Sequence, residues 1–153
     1  MSATTAIGLC ADTHFWPGAP NFVGGSGNVQ CQAHSTALLE NLTAELRRAA
    51  LDFVFHLGDQ TCGGGTYAMP ADHFRATLAA THAALRTTAP VVCALPGNHD
   101  SLPGAGGWRD FNWLWQMQPG LGVTVDLPRA RLVLVNTCGH SVAQLAAAAD
   151  GDP

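Results

Sequence analysis

The sequence predicts an α/β fold in which short buried strands alternate with longer helices. Three largely apolar runs, at residues 6–11, 52–57 and 91–95, have the length and composition of buried strands. Two segments between them, residues 35–50 and 71–88, repeat apolar side chains at intervals of three and four, which is typical of amphipathic helices. Strands that alternate with helices of this length indicate βαβ units and a parallel sheet that is covered on both faces.

The other elements are predicted from weaker signals. Residues 15–33 are rich in Gly, Pro, Asn and Ser, so we expect a long loop there. The aromatic stretch at 108–115 is interpreted as a short helix. Two further strands are expected near 121–127 and 130–136, joined as a hairpin, and the Ala-rich residues 141–149 are predicted to be helical.

Composition limits the classes of function. The chain has 7 Lys+Arg against 11 Asp+Glu, a formal net charge of −4, and all its basic residues are arginines. Nucleic acid and anionic membranes attract basic clusters, so neither is an expected partner. No apolar run approaches the roughly 20 residues of a membrane span. The five cysteines form no C-x-x-C pair and no signal-peptide pattern is present, so we expect a cytoplasmic protein. The oligomeric state is left open.

Polar clusters follow each of the three predicted parallel strands. Asp12 and His14 follow the first strand, Asp59 follows the second, and Asn98 follows the third. Ligands of open α/β sheets gather at the carboxyl ends of the strands, so these side chains are expected to converge. In an extended chain, Asp12 and His14 would point the same way. Their oxygen and nitrogen atoms suit Mn, Fe, Zn or Mg, and a bridging Asp59 would allow two ions to hold a phosphate.

Each cluster alone carries little weight, because a strand-end Asp is more often a turn or cap residue. The order of all three clusters, each directly after an apolar strand, is what indicates a site. Gly58 and Gly97 are expected at points where the backbone must turn sharply or let a ligand approach.

Three motifs resemble those of a known family. The sequence reads D-T-H at 12–14, G-D-Q-T-C at 58–62 and G-N-H-D at 97–100. These are similar to the D-x-H, G-D-x-x-D and G-N-H-D/E motifs of the calcineurin-like metallophosphoesterases. The resemblance covers residues 5 to about 137. It implies the βαβαβ half of a two-sheet sandwich flanked by helices.

The resemblance also implies a dinuclear metal centre. Asp12, His14 and Asp59 would bind one divalent ion, and Asp59 would bridge to a second ion that Asn98 also holds. His99 would not be a ligand; it would face the substrate and stabilise charge or protonate the leaving oxygen. The attacking group would be a metal-bound hydroxide, and the substrate would be a phosphomonoester or phosphodiester.

The sequence departs from the family pattern at two places. Cys62 stands where the family has an acid that orients the substrate-facing histidine; a thiol is a weak acceptor, so we expect His99 to be poorly oriented and turnover to be reduced. No G-H-x-H motif occurs, and His140 in the one Gly-His pair is interpreted first as a loop or cap residue. Residues 1–153 are therefore expected to form a single domain that is truncated.

The leading hypothesis is a metal-dependent phosphoester hydrolase that acts on a small-molecule substrate. The alternative is a non-catalytic scaffold, or a decayed fragment, that keeps the fold. A nucleotide-binding regulatory domain is a weaker hypothesis, because no Gly-rich phosphate-binding loop precedes a helix. Among the other candidates, His56 is interpreted as a core histidine with a backbone partner. Trp113 and Trp115 do not share a helix face, so at least one should pack in the core.

Overall fold

The computed structural model describes residues 4–24, 27, 29–102, 107–116, 122–127 and 130–138. The predicted helix at 141–149 and His140 lie outside these residues. The elements follow one another as β1 (Ile7–Cys10), β2 (Phe22–Val23), β3 (Val29–Gln30), a 3-10 helix (Gln32–His34), α1 (Ser35–Arg48), β4 (Phe53–His56), α2 (Ala71–Leu85), β5 (Val91–Ala94), α3 (Arg109–Leu114), β6 (Gly122–Asp126) and β7 (Arg131–Val135).

A three-stranded parallel sheet lies at the centre of the fold. Its strand order is β1-β4-β5, with Ile7 opposite Phe53 and Phe53 opposite Val91. The prediction of a parallel sheet from alternating strands and helices is therefore confirmed. Since β4 lies between the other two strands, the chain segments that follow all three strands emerge side by side at one edge.

The two faces of the sheet are covered by different partners. On one face, Val54 and Val92 pack against Leu85 of α2. On the other face, Phe55 packs against Leu95 and against Leu134 of the β6-β7 hairpin. Successive residues of a strand point to opposite faces, so β4 contributes to both clusters. Helices and hairpin thus enclose the sheet as two outer layers.

The helices form much as their periodicity predicts. The apolar face of α2 is buried through Phe74, Leu78 and Leu85, whose exposed fractions are 0%, 2% and 0%. This helix begins after Pro70, whose fixed φ suits a helix start. It ends three residues before the predicted position 88, where the hydroxyl of Thr88 donates to the carbonyl of Leu85. None of the helices among the described residues has both the length and the hydropathy of a membrane-spanning segment.

The predicted loop at 15–33 is partly wrong. It contains β2 and β3, which pair antiparallel with Phe22 opposite Gln30, and it ends in the 3-10 helix. Strands of two residues are too short to produce a periodic pattern, so no apolar spacing in the sequence indicates them. The hairpin predicted near 121–127 and 130–136 is confirmed, with Val123 opposite Leu134.

Candidate metal centre

Three candidate ligands converge at the carboxyl edge of the sheet. Asp12, His14 and Asp59 each offer one ligand atom, and these atoms lie within 4.8 Å of one another. The Nε2 atom of His14 is 3.7 Å from Oδ1 of Asp12 and 4.0 Å from Oδ2 of Asp59. Two donors on one ion with bonds of about 2.1 Å can be at most about 4.2 Å apart, so both His14 separations fit a shared cation.

The backbone reaches this arrangement through left-handed conformations. Asp12, His14 and Asp59 have φ values of 55°, 41° and 57°. The expectation that Asp12 and His14 lie in an extended chain is therefore wrong, although both side chains reach the same place. Such φ values are uncommon outside glycine and persist where surrounding structure holds them.

Backbone hydrogen bonds between the two ligand-bearing segments provide that support. The N–H of Asp12 donates to the carbonyl of Gly58 at 3.0 Å, and the N–H of His14 donates to that of Asp59 at 3.0 Å. Phe15 continues the series by donating to Gln60 at 2.9 Å. The segment after β1 therefore lies directly against the segment after β4.

Two glycines allow the third segment to approach. A Cβ atom on Gly97 would lie 2.0 Å from Oδ1 of Asp59 and 2.4 Å from its backbone nitrogen. Gly58 has a φ of 114°, and a Cβ there would lie 2.8 Å from the nitrogen of Gly97. The φ of Gly58 confirms the expected sharp turn at that position. At Gly97 the close group is Asp59 of the same chain, and the approach of a ligand stays a prediction. A side chain at either glycine would push the Asp59 and Gly97 segments apart.

The electrostatics of His14 fit a cation. Burial lowers the pKa of His14, and the nearby Asp59 carboxylate opposes that shift. The Nδ1 atom of His14 is buried without a hydrogen-bond partner among the described residues. In a neutral imidazole with its proton on Nδ1, the Nε2 atom has a free lone pair. This lone pair and the carboxylate oxygens of Asp12 and Asp59 lie close enough for one divalent cation to bind all three groups.

Asn98 lines a cavity that two of the three candidate ligands also line. A cavity of about 180 Å³ is lined by Asp12, Asp59 and Asn98, together with residues that follow β7, including Asn136 and Cys138. The sequence-based search missed these last two. Both residues lie at or just after the end of a predicted strand, and this position could have indicated them as site residues. The sequence does not indicate, however, that a hairpin strand ends at the same edge as the parallel strands.

His99 lies next to the candidate ligands. Its ring centroid is 5.0 Å from that of His14 and 4.9 Å from that of Tyr67. Its backbone N–H donates to Oδ1 of Asp59 at 2.9 Å. Its Nδ1 atom lies 2.8 Å from the carbonyl oxygen of Gly63. A carbonyl only accepts, so Nδ1 carries a proton and Nε2 is left for other partners.

The expectation that Cys62 leaves His99 without an orienting partner is therefore wrong, because the Gly63 carbonyl takes that place. Cys62 is fully buried, and its thiol donates to the carbonyl of His14 at 3.2 Å. Burial raises the pKa of this thiol to about 11, which keeps it protonated. Cys62 thus supports the backbone of His14, and nothing in the sequence indicates that a main-chain oxygen orients His99.

Restoring the family acid with Cys62→Asp should destabilise the protein by about 2–4 kcal/mol and leave any hydrolysis no faster. A carboxylate cannot donate to the His14 carbonyl, and a buried, unpaired charge is costly. Urea unfolding of the wild type, Cys62→Asp and Cys62→Ser measures the effect; the serine retains a donor and should lose less. A Cys62→Asp protein that is more active than the wild type would contradict this role for Cys62.

His56 is a fully buried core histidine, as expected. Its Nδ1 atom accepts the backbone N–H of Gly58 at 3.3 Å, and its Nε2 atom lies 3.2 Å from the hydroxyl oxygen of Thr13. Burial, with a smaller effect from His14, lowers the pKa of His56 from 6.5 to about 4.

The folded-state pKa of His56 is below its unfolded value, so its contribution to stability is complete above pH 6.5 and is lost toward pH 4. The shift corresponds to about 3 kcal/mol. Burial raises the pKa of Asp100 to about 7, so protonation of Asp100 increases the stability of the folded protein as the pH falls, opposite to the effect of His56. Because Asp100 is present in both proteins, its effect cancels in the difference in unfolding free energy between wild type and His56→Gln. We expect this difference to fall by about 3 kcal/mol between pH 7 and pH 4. A difference in unfolding free energy that does not change with pH would contradict the conclusion that the His56 ring is neutral in the folded protein.

The aromatic residues near α3 behave as predicted. Trp113 is 79% exposed, whereas Trp115 is partly buried and its indole N–H donates to Oε1 of Gln60 at 3.2 Å. His82 packs edge-on against Trp115 with ring centroids 4.5 Å apart. None of these side chains belongs to the Asp12, His14 and Asp59 group.

The sequence and the structure of this chain are both similar to those of known proteins. The structure is similar to the crystal structure of a dimetal phosphatase from Danio rerio, with a TM-score of 0.53 and 23% sequence identity. The similarity covers 63% of this chain and 30% of that protein, so the chain spans about a third of its length. No curated protein matches the chain significantly. The calcineurin-like phosphoesterase profile matches residues 5–138. The match covers most of the 153 residues, and the chain belongs to the calcineurin-like phosphoesterase family.

Proposed function

We propose that this chain carries the metal-binding part of a phosphoester hydrolase that acts on small-molecule phosphomonoesters or phosphodiesters. The observation that supports this most is the group of Asp12, His14 and Asp59, whose ligand atoms lie within 4.8 Å of one another. The group lies at the carboxyl edge of a parallel sheet, where ligands of such folds bind. The same proposal treats residues 1–153 as one domain, because helices and hairpin pack on opposite faces of one sheet.

In this proposal Asp12, His14 and Asp59 hold one divalent cation, and Asp59 with Asn98 holds a second. The support for Asn98 is that it lines the same cavity as Asp12 and Asp59. Mn, Fe, Zn and Mg all suit this mixture of carboxylate, amide and imidazole donors. When bound, two such ions would neutralise the charge of a phosphoryl group and lower the pKa of water for in-line attack.

The chain's own contribution to the reaction would come from His99. Its Nδ1 proton is held by the Gly63 carbonyl at 2.8 Å, which fixes the ring. A protonated Nε2 would then donate to a phosphoryl oxygen or transfer its proton to the leaving oxygen. The 5.0 Å separation of the His99 and His14 ring centroids supports this role, because it brings the two imidazole rings together next to the proposed cation site.

Hydrolysis of bis(p-nitrophenyl) phosphate by the 153-residue chain tests the proposal. We expect a rate that requires added Mn²⁺, disappears with EDTA and returns when Mn²⁺ is restored. Circular dichroism would establish that the protein is folded in every sample. A folded chain that is inactive with Mn²⁺, Fe²⁺, Zn²⁺ and Mg²⁺ would favour the alternative, a scaffold or decayed fragment that keeps the fold without the activity.

A further inference from the structure

The buried ring of His56 has a hydrogen-bonding direction that its partners determine. The backbone N–H of Gly58 can only donate, so Nδ1 of His56 is the acceptor in the 3.3 Å contact between them. A neutral ring then carries its proton on Nε2, which donates to the Thr13 hydroxyl oxygen at 3.2 Å. The hydroxyl of Thr13 in turn donates its one hydrogen bond to the carbonyl oxygen of Gln60, at 3.2 Å.

A charged ring would not fit these contacts. A proton on Nδ1 would point at the N–H of Gly58, and two donors repel. The ring is also fully buried, which disfavours charge. The neutral ring with Nε2 protonated is therefore the form that the surroundings of His56 accept.

This series of hydrogen bonds joins the two ligand-bearing segments. Thr13 lies between Asp12 and His14, and Gln60 directly follows Asp59. The three ligand residues have φ between 41° and 57°, a region that costs free energy for residues other than glycine. A histidine needed only for packing would gain nothing from bonds to these two segments, and an apolar side chain would fill the strand position without polar atoms to satisfy.

Resting on the metal centre proposed above, we infer that His56 is a positioning residue of that centre and acts through the hydroxyl of Thr13. The neutral ring holds the segment with Asp12 and His14 against the segment with Asp59. Residues that orient metal ligands in this way typically change metal affinity by about 10–100-fold when they are removed.

The tautomer of His56 is the first test, and it requires no metal. Long-range ¹H–¹⁵N spectra of histidine-labelled protein at pH 7.5 should show one ring with a protonated Nε2 and an unprotonated Nδ1 that disappears in His56→Gln. A ring assigned to His56 that is charged, or protonated on Nδ1, would overturn the inference.

The second test removes the linking hydroxyl. Thr13→Val is expected to weaken Co²⁺ binding by about 10–100-fold and to alter the visible absorption of bound Co²⁺. Thr81→Val is the matched control, because Thr81 is fully buried and its hydroxyl donates within α2 to the carbonyl of Thr77 at 2.9 Å. The control should bind Co²⁺ like the wild type, and Thr13→Ser, which keeps the hydroxyl, should recover most of the affinity. Wild-type Co²⁺ affinity and spectrum in Thr13→Val would overturn the inference.

A protein that binds no Co²⁺ even as wild type would refute the metal centre, and amide exchange then decides the role of His56 separately. The amides of His14 and Phe15, which donate to Asp59 and Gln60, should exchange faster in Thr13→Val than in Thr13→Ser. Equal exchange in the two variants would overturn the positioning role, whatever the outcome for metal binding.

Discussion

Asp59→Asn is expected to weaken Mn²⁺ binding more than about 100-fold and to abolish Mn²⁺-dependent hydrolysis. The proposal gives Asp59 contacts with both ions, and it assigns no other described residue to both. Asparagine has the same shape and keeps an oxygen for the N–H of His99, which Asp59 accepts at 2.9 Å. The substitution therefore removes the charge and one ligand oxygen, while the surrounding loop keeps its main hydrogen bond.

Isothermal titration with Mn²⁺ and the phosphodiester assay measure these losses. Asp126→Asn is the control, because Asp126 is an exposed hairpin residue whose carboxylate forms an ion pair with Arg131, at 2.6 Å. That variant should bind and hydrolyse like the wild type. Unchanged Mn²⁺ affinity in Asp59→Asn would remove Asp59 from the centre, and with it the bridging arrangement.

The parts of the fold that were predictable are those with a local signal. The strands and helices around Val54, Leu78 and Val92 follow from apolar spacing, which reports burial directly. The grouping of Asp12 with Asp59 follows from one topological rule, that parallel strands end at a common edge. Neither inference needed the conformation of any single residue.

The parts that were not predictable depend on main-chain geometry. The left-handed φ of Asp12 and His14 replaces the extended chain that a spacing of two residues suggests. The partner of His99 is the carbonyl oxygen of Gly63, a group that every residue possesses and that no motif distinguishes. The interpretation of Cys62 failed for the same reason, because its thiol contacts the carbonyl of His14 rather than a side chain.

Asp100→Ala is expected to cost about 3–9 kcal/mol of stability, a large part of the 5–15 kcal/mol typical of a domain. Asp100 is fully buried, and its carboxylate accepts three backbone N–H groups. Oδ1 accepts those of Gln60 and Thr61 at 2.8 and 3.1 Å, and Oδ2 accepts that of Gly97 at 2.9 Å. Alanine would leave all three donors buried and unpaired, and each such donor costs about 1–3 kcal/mol.

Asp100→Asn separates this explanation from a simple loss of packing. Its amide oxygen can still accept from Gln60 and Thr61, but its NH₂ group would face the N–H of Gly97, so we expect urea unfolding to give a loss between wild type and Asp100→Ala. Asp100→Leu fills the space without accepting any hydrogen bond and should be no more stable than Asp100→Ala. A leucine variant as stable as the asparagine variant would show that volume, not acceptance, matters. Because Asp100 joins the segment after Asp59 to Gly97, the folded fraction of the asparagine variant should also bind Mn²⁺ more weakly than the wild type.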